Sequence, residues 1–210
     1  MVLLFCGCQN ESKNYSDNTT WWTEEDRQYI LSELDRTSEE LASEIQSLND
    51  IQWHFREGSD RWSISEIVEH LEMQNQLHYR EISVTMNSPQ YLEFRKITKD
   101  RDDHFTQYAT DLSPGTARWF LEPLGRFSTK QEGEHAFFRA RNELRTLVER
   151  TNIDFRKQFT FRTPVHSVPF DSIKIGQVRD LHQLLLTGVA HTDRHLRQIR
   201  NIKLHPEYPD

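Results

Sequence analysis

Two histidines four residues apart, His191 and His195, are the side chains in this chain whose type and spacing best suit chemistry. At about 100° per residue, positions i and i+4 share one face of a helix, a turn apart. That face is apolar: Leu181, Leu184, Leu185 and Gly188 precede the pair in the same stripe, and Ile199 follows it. A buried imidazole without a partner costs a few kcal/mol, about 1–3 by mutational measures. A divalent metal serves two such rings at once, and i, i+4 histidine pairs on helices are one way to hold it. With ten histidines among 210 residues, chance supplies roughly half such a pair, so the spacing alone is not specific and a third ligand is required.

Composition narrows the alternatives. The chain has the length of one domain, or of one domain plus a tail, and its 12 Phe, 6 Tyr and 5 Trp can build a core despite a charged content of 28%. Seven Gly and seven Pro are few, which favours helices over a many-turned β-architecture. A formal charge of −7 argues against a nonspecific nucleic-acid binder, which carries a basic footprint. No stretch approaches the roughly 18 apolar residues that span a bilayer. The two cysteines, Cys6 and Cys8, are too close for a disulfide framework, and the body of the chain offers no thiolate nucleophile or ligand.

The apolar run Met1-Val2-Leu3-Leu4-Phe5 ending in Cys6-Gly7-Cys8 is similar to the end of a bacterial lipoprotein signal, with Cys8 as the lipidated residue. It departs from a full signal in its short apolar region and its missing basic start. Residues 1–21 are therefore expected to be a signal remnant and polar tether, and residues 22–208 the folded domain. An exported chain would sit in the cell envelope, and one without lipid in the cytoplasm.

Four long segments have helical spacing. The first is predicted over Thr23 to Leu48, with Thr23 as N-cap, Glu24, Glu25 and Asp26 at the positive end of the dipole, and Asn49 and Asp50 as its stop. The second opens with Ser63 and Glu66 as a capping box and runs to about Met86. Its buried stripe, Ile67, His70, Leu71, Gln74 and Leu77, carries a third histidine, and His78 continues that face. Ser128 and Thr129 open the third, which ends near Asn152, and the fourth is predicted from about Gly176 to Lys203. Residues 89–129 are the least legible stretch, with a polar helix expected before Asp111 and a long ordered loop after it. No strand alternation is convincing, so an all-α four-helix bundle with long connectors is expected.

With His70 on one helix and the pair on another, the sequence resembles the DinB-like (YfiT-type) superfamily of metal-binding four-helix bundles. Trp62-Ser63-Ile64-Ser65-Glu66 followed by His70-Leu71 looks like that family's W-S-I-x-E-x-x-x-H-L signature. His191, Arg194, His195, Gln198 and Ile199 look like its H-x-x-R-H-x-x-Q-I. Between them, residues 122–127 and Phe138, Arg141 and Leu144 are similar to a bacterial subgroup. The resemblance spans roughly residues 22 to 208.

It implies a divalent metal (Zn, Ni or Fe) held by His70, His191 and His195, a small-molecule substrate, and often a homodimer. Three neutral imidazoles without thiolates suit those metals and do not suit Ca or Mg. Activities in the superfamily include thiol-dependent S-transfer, isomerisation and suspected hydrolysis, so a metal-dependent hydrolase or thiol S-transferase is expected. The alternative is a non-catalytic metal- or ligand-binding lipoprotein. His78, His166 and Gln74 are candidates to line the cavity. Glu66, Glu69 and Asp193 are candidates to orient imidazoles. His54, His104, His135 and His205 are expected at the surface or in loops.

Overall fold

The computed structural model describes residues 19–107, 117–161, 172–174 and 176–210. Cys6, Cys8 and His166 lie outside them. Among the described residues the chain forms α1 (Glu24–Ile45), α2 (Asp50–His54), α3 (Ile64–Thr85), α4 (Arg95–Thr98), α5 (Asp103–Thr106), α6 (Lys130–Arg150), β1 (Phe159–Phe161), β2 (Val178–Asp180) and α7 (Leu181–Lys203). Single 3-10 turns stand at Leu92–Phe94, Trp119–Leu121 and Phe155–Lys157.

The same local device starts every long helix. Thr23 with Asp26, Ser63 with Glu66, Thr129 with Glu132 and Asp180 with Gln183 each form a reciprocal capping box. Each box satisfies two of the backbone N–H groups that a helix start leaves without partners. Asn49 and Gln52 do the same for α2, so the residues expected only to stop the first helix also begin a second, short one that buries Trp53. Asp180 sets the start of α7 at Leu181 rather than near Gly176.

Among the described residues, the stretch between α6 and α7 is one of two places where the fold departs from the expected all-helical reading. Phe159, Thr160 and Phe161 pair antiparallel with Asp180, Arg179 and Val178. Three residues per strand are too few for alternation to show in sequence, and both faces here are largely buried. The other is residues 88–107, where a 3-10 turn running into α4 and the separate short α5 stand in place of one polar helix.

The long helices close a ring in which α1 packs on α6 and α7, and α3 packs on α6 and α7. Helices α6 and α7 therefore face each other diagonally across the interior. Apolar side chains fill this interior in two separate blocks. One holds Ile30 and Leu34 of α1, Ile82 of α3, Leu144 and Val148 of α6 and Leu181 to Val189 of α7, with Trp22 and Phe155. The other holds Leu41 and Ile45 of α1, Ile64 to Leu71 of α3, Phe137 of α6 and Leu196 to Ile202 of α7, with Trp53. Between them the same four helices place Thr37, Asn75, His78, Arg141, Thr192 and His195, all buried. A polar layer thus crosses the waist of the bundle, and the histidines belong to it.

Candidate metal centre

His70 sits two turns into α3, while His191 and His195 are a turn apart on α7, which packs beside it. The His191 Nε2 lies 3.3 Å from the Nε2 of His70 and 3.3 Å from that of His195. One nitrogen from each ring lies within 4.8 Å of the others, a grouping that could hold a metal ion. Nitrogens bound tetrahedrally to zinc at about 2.0–2.1 Å stand about 3.3 Å apart, which both His191 distances match.

The outer nitrogens explain which face of each ring points inward. His70 Nδ1–H donates to the Leu121 carbonyl at 2.7 Å, and His195 Nδ1–H donates to Gln198 Oε1 at 2.9 Å. A neutral imidazole carries one N–H, so both rings present a bare Nε2 lone pair to His191. His191 Nδ1 is buried without a partner. A proton on His191 Nε2 can serve one of its two neighbours but not both. Protonating further rings is disfavoured: burial, followed by the charges of His70 and His78, pushes His191 down to about 3, and burial, followed by those of His191 and His70, holds His195 well below its ordinary value. Burial lowers His70 as well, against the opposing bond to Leu121. Three converging lone pairs that protons cannot satisfy are the donor set of a cation. The Trp62 ring covers this cluster, 4.9 Å from the His70 ring and 6.2 Å from that of His195.

The remaining sequence candidates separate. His78 is buried, with the Gln74 amide 2.5 Å from its Nε2, and its ring lies where a Cβ on Gly188 would come within 2.7 Å. It lines the polar layer one turn from His191 but does not join the three-nitrogen group. None of the three carboxylates expected to orient an imidazole does so. Glu66 accepts from Ser63 and Arg56, Asp193 pairs with Arg36, and Glu69 takes the backbone N–H groups of Leu124 and Arg126 together with the Arg126 guanidinium. Helix geometry is the reason: Glu69 and Asp193, one or two positions from a histidine, point at least 100° away from it. Burial would raise the pKa of Glu69, yet its hydrogen bonds from Leu124 and Arg126 outweigh this and hold it below the usual range. His54, His104 and His135 are exposed, and His205 is half-buried against Phe55.

Sequence reasoning missed the groups that hold the rings. Gln198 was discoverable, since it follows His195 by three residues on one helix. The Leu121 carbonyl was not, because a backbone acceptor in an irregular segment leaves no trace in residue type. A tenth histidine, His182, also escaped. It is buried, accepts the Trp22 indole N–H at 3.1 Å on Nδ1, and aims Nε2 between Asp26 and Asp102, 3.8 Å from each.

These buried rings set the acid stability of the metal-free protein. Burial lowers His70, His78, His182, His191 and His195, to about 3 for His78 and His191 and about 4 for His182. A depressed histidine contributes stability that is complete above its unfolded value near 6.5 and is lost as pH falls toward the folded one. Each costs up to about 1.4 kcal/mol per pH unit. Asp180, raised by burial to about 6, works in the opposite direction between about 6 and its ordinary value, but one carboxyl cannot offset five imidazoles. Thermal unfolding of metal-free protein from neutral pH downward is expected to lose stability steeply below about pH 6.5. A flat profile to about pH 5 would contradict these burial assignments.

Fold and centre together define a helical bundle with a three-histidine cluster between adjacent helices, a cluster that could bind a metal ion. The model of the DinB superfamily matches residues 33–199, and the chain belongs to that superfamily. No curated protein and no solved structure matches the chain.

Proposed function

We propose that His70, His191 and His195 ligate one divalent metal, Zn, Ni or Fe(II), and that the protein is a metal-dependent enzyme acting on a small molecule, a hydrolase or a thiol S-transferase. The observation that carries this is the convergence of three Nε2 lone pairs whose outer nitrogens, for His70 and His195, are already spent on Leu121 and Gln198. Three protein ligands leave a position for a further group, the pattern of catalytic rather than structural zinc. When bound, such a metal supplies Lewis acidity that brings the pKa of a water or thiol toward neutrality. The chain's own part is to fix the rings, keep them neutral, and exclude bulk water with the Trp62 ring. The charge of −7 supports a small molecule over nucleic acid as substrate.

One observation favours a second reading, a non-catalytic metal- or ligand-binding protein. Glu66, Glu69 and Asp193 are all engaged by arginines, which leaves none of them free as a general base. Lipidation at Cys8, with residence in a bacterial cell envelope, and a homodimeric state are part of the same proposal. With an envelope location, hydrolysis is favoured over transfer from cytoplasmic thiols. Elemental analysis of purified protein tests the metal, and an esterase and thiol-conjugation panel tests turnover. Protein that neither carries nor takes up Zn, Ni or Fe refutes both readings; stoichiometric metal without turnover leaves the binding protein.

Glu69 offers a test of the support around the centre. By pinning Leu124 and Arg126 it holds the segment that brings the Leu121 carbonyl to His70. Glu69→Ala is expected to weaken metal affinity about 10–100-fold, as removal of outer-shell partners does elsewhere. Competition against a chelator measures this; unchanged affinity would show that the segment is held without Glu69.

A further inference from the structure

Arg141 is a buried cation with no counter-ion among the described residues. It is 3% exposed, on α6, and reaches diagonally across the bundle so that Nη2 donates to Thr192 Oγ1 at 2.9 Å. Its Nε is buried without a hydrogen-bond partner. The two acids that act on it through space, Asp193 and Asp35, are already paired with Arg36 and Arg145. Burial lowers the guanidinium to about 10, so it is still charged at neutral pH.

The same molecule shows how a buried arginine is normally neutralised. Arg156, at 6% exposed, pairs with Asp102, Asp26 and Asp180. An unpaired buried charge costs several kcal/mol, and arginines are almost never fully buried unless paired. The place of Arg141 suggests the use. Thr192, its partner, follows His191 directly, and the Gly188–Thr192 turn is also the one against which His78 lies. Arg141, His78 and the three-histidine cluster therefore share one polar layer between two apolar blocks.

We propose that Arg141 seats a carboxylate of the small molecule handled at the histidine centre. Nη2 carries a second hydrogen beside the unpaired Nε–H, and two parallel N–H groups match the two oxygens of a carboxylate. The seat deepens the proposed function and rests on it for what happens at the other end of the molecule; the binding of the carboxylate itself needs no metal.

The test is thermal unfolding of the full chain, metal-free and zinc-loaded, with benzoate as probe and benzamide as its neutral counterpart at equal ionic strength. Wild-type protein is expected to gain about 3–5 °C from benzoate at about ten times its Kd, and nothing from benzamide. Arg141→Met is expected to lose the benzoate shift while its own Tm without ligand stays equal or rises, because an apolar side chain of similar length replaces a buried charge with no ion-pair partner among the described residues. Thr192 keeps its bond to the Gly188 carbonyl in that variant. A fall in the ligand-free Tm of Arg141→Met would show that the arginine is structural and overturn the seat. So would an equal benzoate shift in both proteins, or no shift in wild type. Should the methionine variant not fold, Arg141→Lys, which keeps the charge and loses the fork, is expected to unfold like wild type with a reduced benzoate shift; a full shift would overturn the seat. The same measurement in His191→Ala separates the two claims: a benzoate shift surviving there, in protein that takes up no metal, leaves the seat standing without the metal centre.

Discussion

His191→Ala and His195→Ala are each expected to abolish stoichiometric metal binding while the protein stays helical. Two imidazoles cannot replace three as a donor set, and the loss should exceed the about 10–100-fold that outer-shell changes produce. Helix α7 should survive, because alanine is the best helix former and the capping box at Asp180 and Gln183 is untouched. The removed ring leaves a small void, offset in part by relief of the crowded Nε2 lone pairs. Zinc at about 1,000 times its Kd contributes about 4 kcal/mol to a protein that binds it. For a chain of this size that is a rise of about 8–16 °C in Tm. Wild type should show the rise and both variants should lose it, with unchanged far-ultraviolet circular dichroism. His135→Ala, at an exposed position on α6, is the control and should bind as wild type does. Full metal content in both α7 variants would mean that the cluster is not the metal centre.

The largest expected effect on stability lies at Arg156. Its guanidinium grips Asp102 with both Nη atoms, at 2.8 and 2.7 Å, and reaches Asp26 at 3.0 Å and Asp180 at 3.4 Å. Asp180 is fully buried and also caps α7. Arg156→Met removes the cation shared by Asp26 and Asp102 and leaves Asp180 with Arg95 alone, 3.5 Å away, a loss of about 3–5 kcal/mol for a broken buried pair. The Tm should fall by about 6–20 °C. Asp180 already stands at about 6 because burial outweighs the pull of Arg156, and without the arginine it rises further. Acid relieves it, so the deficit of the variant relative to wild type should narrow from neutral pH to about pH 5. Metal affinity should not follow, because His182 beside this network stands nine residues before His191, about 14 Å along α7. A deficit that is constant across this pH range, or a parallel loss of metal affinity, would contradict the assignment.

How much of this was legible in the sequence depended on how local each feature is. The helix starts at Thr23, Ser63 and Thr129 were readable because a cap and its partner lie three residues apart, and α7 took its start from a box, Asp180 and Gln183, of the same spacing. His191 and His195 were readable for the same reason, and His70 showed itself as a polar residue in an apolar stripe. Arg141 offered that signal too, between Phe137 and Leu144 on α6, although only the bundle shows that it lacks a counter-ion. The paired strands at 159–161 and 178–180 were too short to leave a period.

Alone, then, the sequence determined the four long amphipathic helices, the starts of the first three and the three histidines on their inner faces, because side-chain periodicity and capping act over three or four residues. Only the tertiary structure decided that those histidines converge on one point, that the Leu121 carbonyl 51 residues from His70 holds its ring, and that Arg156 is paired with Asp26 130 residues away while Arg141 has no ion-pair partner among the described residues. Such pairings are settled by which surfaces of the bundle meet, and hydrogen bonds and charges between distant segments impose no spacing on the sequence that could announce them.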